Sequence, residues 1–171
     1  MKIKFLPWIL TALALFVTGC DPKKQFTCLG IHLQTSAQLP ESQRTVVVVR
    51  NPPLSVAVDR FPELREVDLE GAQAVKTPTR KQLVLQFNRH GTLVIESFTT
   101  ERRGEFYVLT LNTIPIAAPA IRETIRDGRL VIDVDVLDED LDKLVKGLNA
   151  AIKDAAMLGG NKQMELDMSH K

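Results

Sequence analysis

Apolar residues in this chain recur with two periods, two and three-to-four, and the changes between them mark out the elements. Thr45 to Arg50, "TVVVVR", is a β-branched run of the kind that favours a strand. Asn51-Pro52-Pro53 interrupts it, because proline cannot donate to a ladder. In "LSVAVDR" the alternation resumes, with Leu54, Val56 and Val58 on one side. "FPELREVDLEGAQAV" then predicts a loop, a helical turn near 67–71, and a strand at about 73–77 that Pro78 ends. "QLVLQFN" predicts a strand with Leu83, Leu85 and Phe87 on one face. "EFYVLTLN" is apolar on both faces, Phe106 and Val108 on one and Tyr107, Leu109 and Leu111 on the other, which suits the middle of a sheet. "RLVIDVDV" alternates most cleanly, Leu130, Ile132, Val134 and Val136 inward, Asp133 and Asp135 outward.

The helical period is plainest near the end of the chain. Leu141, Leu144, Val145, Leu148, Ile152 and Ala155 share one face. Asp138 is placed to cap this helix, and Glu139 and Asp140 put negative charge in its first turn. Gly159-Gly160 is expected to end it, leaving 159–171 as a disordered tail. "RHGTLVIESFTTERRG" is undecided by periodicity. Its β-branched residues favour a strand, while the stripe Val94, Ile95, Phe98 and a capping Asn88 favour a helix. The succession of strands and helices predicts an α+β domain over 44–158, with one mostly antiparallel sheet and helices packed on one face.

The N-terminal nineteen residues have another texture. Lys2 and Lys4 precede an apolar stretch from Phe5 to Val17 that is too short to span a bilayer. It ends in Val17-Thr18-Gly19-Cys20, which resembles the lipobox of bacterial lipoproteins. Small residues there admit the peptidase to the backbone, and the Cys20 thiol takes the diacylglyceryl group. The expectation is a signal peptide over 1–19, an acylated Cys20 and a tether over 20–43 with one short strand at 29–33. At about 0.8 kcal/mol per buried CH₂, several acyl chains make a lasting anchor where one does not. Asp21 resembles an inner-membrane retention signal, which places the protein on the inner membrane facing the periplasm. With Cys20 committed to lipid, Cys28 has no partner within the chain. It is either shielded or available for an intermolecular bridge. The net charge is +1, and loss of Lys2 and Lys4 leaves the remainder close to neutral, so no nucleic-acid partner is expected.

Little of the sequence reads as chemistry. The acidic run Asp133, Asp135, Asp138, Glu139, Asp140 and Asp142 lacks the glycine and terminal glutamate of a calcium loop, and reads as a solvated strand face leading into a helix start. His32, His90 and His170 are far apart, and neither a CxxC pair, a phosphate loop nor a Gly-x-Ser-x-Gly elbow is present. No catalytic residue, cofactor or metal is therefore assigned. Arg102, Arg103, Arg122, Arg126 and Arg129 are candidates for contact with anionic lipid or an acidic partner, and Arg122 and Arg126, four apart, would share one helical face.

The stretch 116–129, "IAAPAIRETIRDGR", carries a resemblance. The head of the first periplasmic domain of the SecD family has an apolar strand, an Asp-Gly turn and a small residue-Ala-Pro step. An isoleucine follows, then a short turn ending in a second isoleucine, and a glycine before a returning strand. Here "YVLTLN", Ala117-Ala118-Pro119, Ile121, Ile125, Gly128 and "RLVI" are similar to those features in order. Asn112-Thr113-Ile114-Pro115 stands where the family has Asp-Gly. The resemblance extends over about 64–152 and implies a helix at 88–102. It implies an architectural role for 116–129: Pro119 ends a strand, Ile121 and Ile125 plug the core against the helix face holding Leu144 and Leu148, and Gly128 turns the chain. It also implies partners: unfolded polypeptide, or components of the export machinery, met in the periplasm by a tethered, non-enzymatic module. The competing reading is an envelope hydrolase or metal-dependent enzyme whose site converges from distant positions. A shallow apolar or mixed groove favours the first; a deep pocket of converging ionisable groups favours the second.

Overall fold

The computed structural model describes residues 27–50, 53–134 and 136–169. Cys20, Asp21, the expected signal peptide, Asp135 and His170 lie outside the described residues. The described chain forms β1 (Leu29–Leu33), β2 (Arg44–Arg50), β3 (Pro53–Asp59) and β4 (Leu64–Arg65), then a 3₁₀ turn at Glu66–Asp68. β5 (Leu69–Lys76), β6 (Lys81–Phe87) and α1 (Arg89–Glu101) follow, then β7 (Tyr107–Leu111), β8 (Ile114–Ala117), β9 (Arg129–Ile132) and α2 (Asp138–Ser169). The fold is α+β, with antiparallel pairing between neighbouring strands. The strands divide among three sheets rather than one, in the orders β4-β1-β7-β8, β2-β3 and β5-β6-β9.

The two-sided apolar pattern of β7 has a direct cause. Tyr107 and Leu109 face the main core, with Leu83, Leu85 and Phe87 of β6, Ile95 and Phe98 of α1, and Leu141 and Leu148 of α2. Val108 faces a second, smaller core built with Val56 and Val58 of the β2–β3 hairpin. The four-stranded sheet is thus covered on both sides. β1 is also interior: it pairs with β7 from Leu29↔Leu111 to Leu33↔Tyr107, and Leu29, Ile31 and Leu33 are all buried. The tether expected to reach residue 43 is therefore corrected, and the folded part begins by Leu29.

α1 forms despite its β-branched residues. The Asn88 side chain accepts from the Gly91 N–H at 2.9 Å. The Thr99 hydroxyl, fully buried, donates back to the Ile95 carbonyl at 2.6 Å, so its polar atom is satisfied inside the core. At α2 the cap falls one residue earlier than expected. The Leu137 carbonyl accepts from the Leu141 N–H at 3.0 Å, and Asp138 Oδ1 instead accepts from the Lys81 N–H at 3.2 Å. That bond also explains why β9 stops at Ile132 rather than Val136: beyond Leu83↔Ile132, β6 turns its next free donor, on Lys81, to α2. α2 continues through Gly159-Gly160 to Ser169, correcting the expected helix end and disordered tail. Each glycine disfavours a helix by about 1 kcal/mol relative to alanine, which weakens the helix without forbidding it.

Candidate functional site

The 116–129 stretch begins after a two-residue hairpin turn. Asn112 (φ 48°) and Thr113 (φ 70°) are both left-handed, the type I′ geometry that suits the twist of the strands on either side. β8 then ends at Ala117, just before Pro119, and residues 118–125 run as an irregular strap. The strap is held along the chain that leads into β7: the Tyr107 N–H donates to the Pro119 carbonyl at 3.2 Å, and Ile121 N–H to the Glu105 carbonyl at 2.8 Å. Farther on, the Ile125 N–H donates to the Thr99 hydroxyl of α1 at 3.1 Å. These anchors replace the helical turn that the Ile121/Ile125 spacing suggests, so Arg122 and Arg126 do not share a helical face. Both are exposed, and Arg126 Nε lies 3.5 Å from Glu96 Oε1. Ile121 is buried in the main core and Ile125 half-buried against it. The strap is bonded to α1 and the Gly104–Glu105 segment, whereas α2 packs on β5, β6 and the 3₁₀ turn. Ala118 borders the smaller core. Gly128 has φ +64°, and its carbonyl accepts from the Phe87 N–H at 2.8 Å, as the turn required.

β8 and the strap face β9 across a cleft of about 710 Å³. Ile116, Ile121, Leu130, Ile132 and Val134 supply its apolar surface, and Val49 and Leu54 of the hairpin add to its wall. Arg80, Arg122, Glu123, Arg129 and Asp133 bring charge to it. Tyr107 also lines it, and burial pushes its phenol well above the usual range, so it stays a neutral hydrogen-bonding group. A shallower depression adjoins, where Arg103 Nη2 donates to Thr124 Oγ1 at 3.0 Å. Asp133 is held twice, by Arg80 Nη2 at 3.3 Å and by Gln82 Nε2 at 2.9 Å. The guanidinium of Arg129 has no ion pair among the described residues.

The remaining candidates are dispersed. Of the acidic run, Asp142 meets Lys81 Nζ at 2.6 Å and Asp140 meets Lys143 at 3.0 Å. The Asp142 carboxylate holds the Lys81 ammonium above its usual range. Among the described residues no group of three or more His, Cys, Asp or Glu is placed to hold a metal ion. His32 Nδ1 donates to the Asp59 carbonyl at 2.9 Å, and His90 Nδ1 lies 2.9 Å from Asp68 Oδ1. Arg102 Nη1 donates to the Gln34 carbonyl at 3.1 Å. Cys28 is exposed, which removes shielding from the two roles left open for it. The sequence pointed to the 116–129 stretch and to Arg129, but not to the open edge of β9 that forms the opposing wall of the cleft. Val131, an apolar residue in phase with the outward-facing Asp133, was the available signal, and it is exposed in the structure.

No family model matches this chain, and no curated protein matches it. Among solved structures it is similar to SecDF, a membrane component that enhances protein export, with 22% identity and a TM-score of 0.57. That match covers 74% of this chain and 63% of the other. It is also similar to SecDF in its super-membrane-facing form, with 20% identity and a TM-score of 0.58, over 74% of this chain and 19% of that one. The chain thus corresponds to only part of each. About three quarters of this chain shares its fold with part of SecDF.

Proposed function

We propose that this protein is a membrane-tethered module of the bacterial envelope that holds polypeptide in the cleft between the 116–125 strap and β9, in support of protein export, and that it is not an enzyme. The carrying observation is the cleft itself: an apolar surface edged by charge, which is how a surface accepts varied side chains while excluding little. Its carboxylates support binding over catalysis. Asp133 is occupied by Arg80 and Gln82, and Glu123 stands exposed on the strap. The enhancement of export by SecDF supports the same role. Acylation of Cys20 would anchor the module and Asp21 would keep it at the inner membrane, with the cleft free to meet a chain emerging into the periplasm.

The test is site-specific photocrosslinking in native membranes. Benzoylphenylalanine at Val131 or Ala118 is expected to capture an exported precursor stalled during translocation. The same probe at Leu93, an exposed residue of α1 that does not line the cleft, is expected to capture little. Equal capture at all three positions overturns the cleft as the site.

A further inference from the structure

We infer that a polypeptide bound in the cleft joins the three-stranded sheet as a fourth strand beside β9, with an acidic side chain opposite Arg129. This rests on the cleft being the polypeptide site and specifies how the chain is read there.

Among the described residues β9 is an edge strand with β6 as its only partner. Its outward-facing groups follow from the register. The Phe87 N–H bonds the Gly128 carbonyl, and the pairing continues through Leu85↔Leu130 and Leu83↔Ile132. Hydrogen-bonded pairs alternate in an antiparallel ladder, so Leu130 and Ile132 bond to β6 while the peptide groups of Arg129 and Val131 point away from it. The Arg129 N–H is taken by Asp127 Oδ1 at 3.1 Å. The Val131 N–H and carbonyl and the Arg129 carbonyl have no partner among the described residues.

The other edge of the same sheet is treated differently. On β5, the peptide groups of the buried Ala72 point away from β6, and the Asn149 side chain of α2 closes them with two bonds. The Ala72 N–H donates to Oδ1 at 2.9 Å, and Nδ2 donates to the Ala72 carbonyl at 2.9 Å. An amide side chain there imitates a neighbouring strand. β8 carries Pro115, which blunts its edge. β9 has neither device, and its central Val131 is 49% exposed.

An extended chain laid along β9 would use the free backbone groups for binding that is blind to sequence, and would send alternate side chains into the cleft. Charge then selects among chains. The strand's exposed face carries Arg129 at one end and Asp133 at the other. Asp133 is already neutralised by Arg80, whereas Arg129 is uncompensated among the described residues, so a carboxylate complements this edge.

The test is fluorescence anisotropy of the acylated protein in detergent with a labelled ten-residue peptide that alternates valine with threonine and has one glutamate. Two further peptides carry N-methyl groups on the amides of one edge or of the other. Methylating one edge is expected to weaken binding by roughly tenfold or more, and methylating the other to leave it unchanged. Val131→Pro, which removes an outward N–H that β6 does not use, is expected to weaken the plain peptide similarly without moving the melting temperature. Replacing the peptide's glutamate by lysine is expected to cost about threefold, and Arg129→Glu to reverse that preference. Equal binding of all three peptides overturns strand addition and leaves the polypeptide site standing. No binding of any peptide overturns both. Indifference to the peptide's charge overturns the role of Arg129. Self-association abolished by Val131→Pro, without peptide binding, assigns the edge to a second copy and overturns the inference.

Discussion

Gly128→Ala tests the turn on which the cleft's second wall depends. Gly128 sits at φ +64°, a region that costs a residue with a Cβ roughly 1–2 kcal/mol. Space is the second obstacle. A Cβ there would collide with Thr92 Oγ1 and stand 3.2 Å from both Thr92 Cβ and Thr92 Cγ2, in the first turn of α1. Overpacking of this kind costs about 1–3 kcal/mol. The turn cannot easily move aside, because the Gly128 carbonyl accepts from the Phe87 N–H at 2.8 Å and from Gln86 Nε2 at 3.2 Å. Alanine's stiffer unfolded chain offsets about 0.4–1 kcal/mol. The expected net loss is about 3 kcal/mol, measured as a shift in the urea midpoint at constant slope. Adding Thr92→Ala relieves the collision alone, so the double variant is expected to recover about half of the loss, leaving the backbone cost. A Gly128→Ala midpoint within about 0.5 kcal/mol of the parent would refute the argument. Failure of Thr92→Ala to restore anything would refute the steric half.

Ile121→Ala is expected to cost about 2–5 kcal/mol by chemical denaturation, and Ile125→Ala less, since Ile125 is only half-buried. Arg122→Ala and Arg126→Ala are expected to shift stability by about 0.5 kcal/mol or less; larger losses would mean the strap is held by its charges rather than its core contacts. Thr113→Gly is expected to stabilise by about 1 kcal/mol, because a β-branched residue at φ 70° is strained and Asn-Gly suits the turn; a lower thermal midpoint would contradict this. Cys20→Ser is expected to abolish incorporation of labelled palmitate and leave an unprocessed precursor. If the parent protein takes up no label, the anchor is wrong.

Local pattern sufficed wherever one element's own periodicity decides its fate. The stripe from Leu141 to Ile152 yields α2, and the alternation of Leu83, Leu85 and Phe87 yields β6. The two apolar faces of β7 announced a strand covered on both sides, whereas the turn at Gly128 was implied by the resemblance. For α1, periodicity left helix and strand in balance; the resemblance favoured helix, and in the structure the Asn88 cap and the bonding of Thr99 are visible. Other features depend on partners remote in sequence. β1 looked like part of a tether because five residues say little alone; its place in the core comes from β7, with Gly30 opposite Thr110. The spacing of Ile121 and Ile125 fits a helix, but their N–H groups donate instead to the Glu105 carbonyl and the Thr99 hydroxyl, which holds the strap in an irregular path. The closing of the β5 edge by Asn149 joins residues 77 positions apart. The cleft exists only because β8 with the strap, and β9, edges of two different sheets, come to face each other. Periodicity records which side of an element is buried, whereas which edges remain open is settled by long-range pairing that no local window contains.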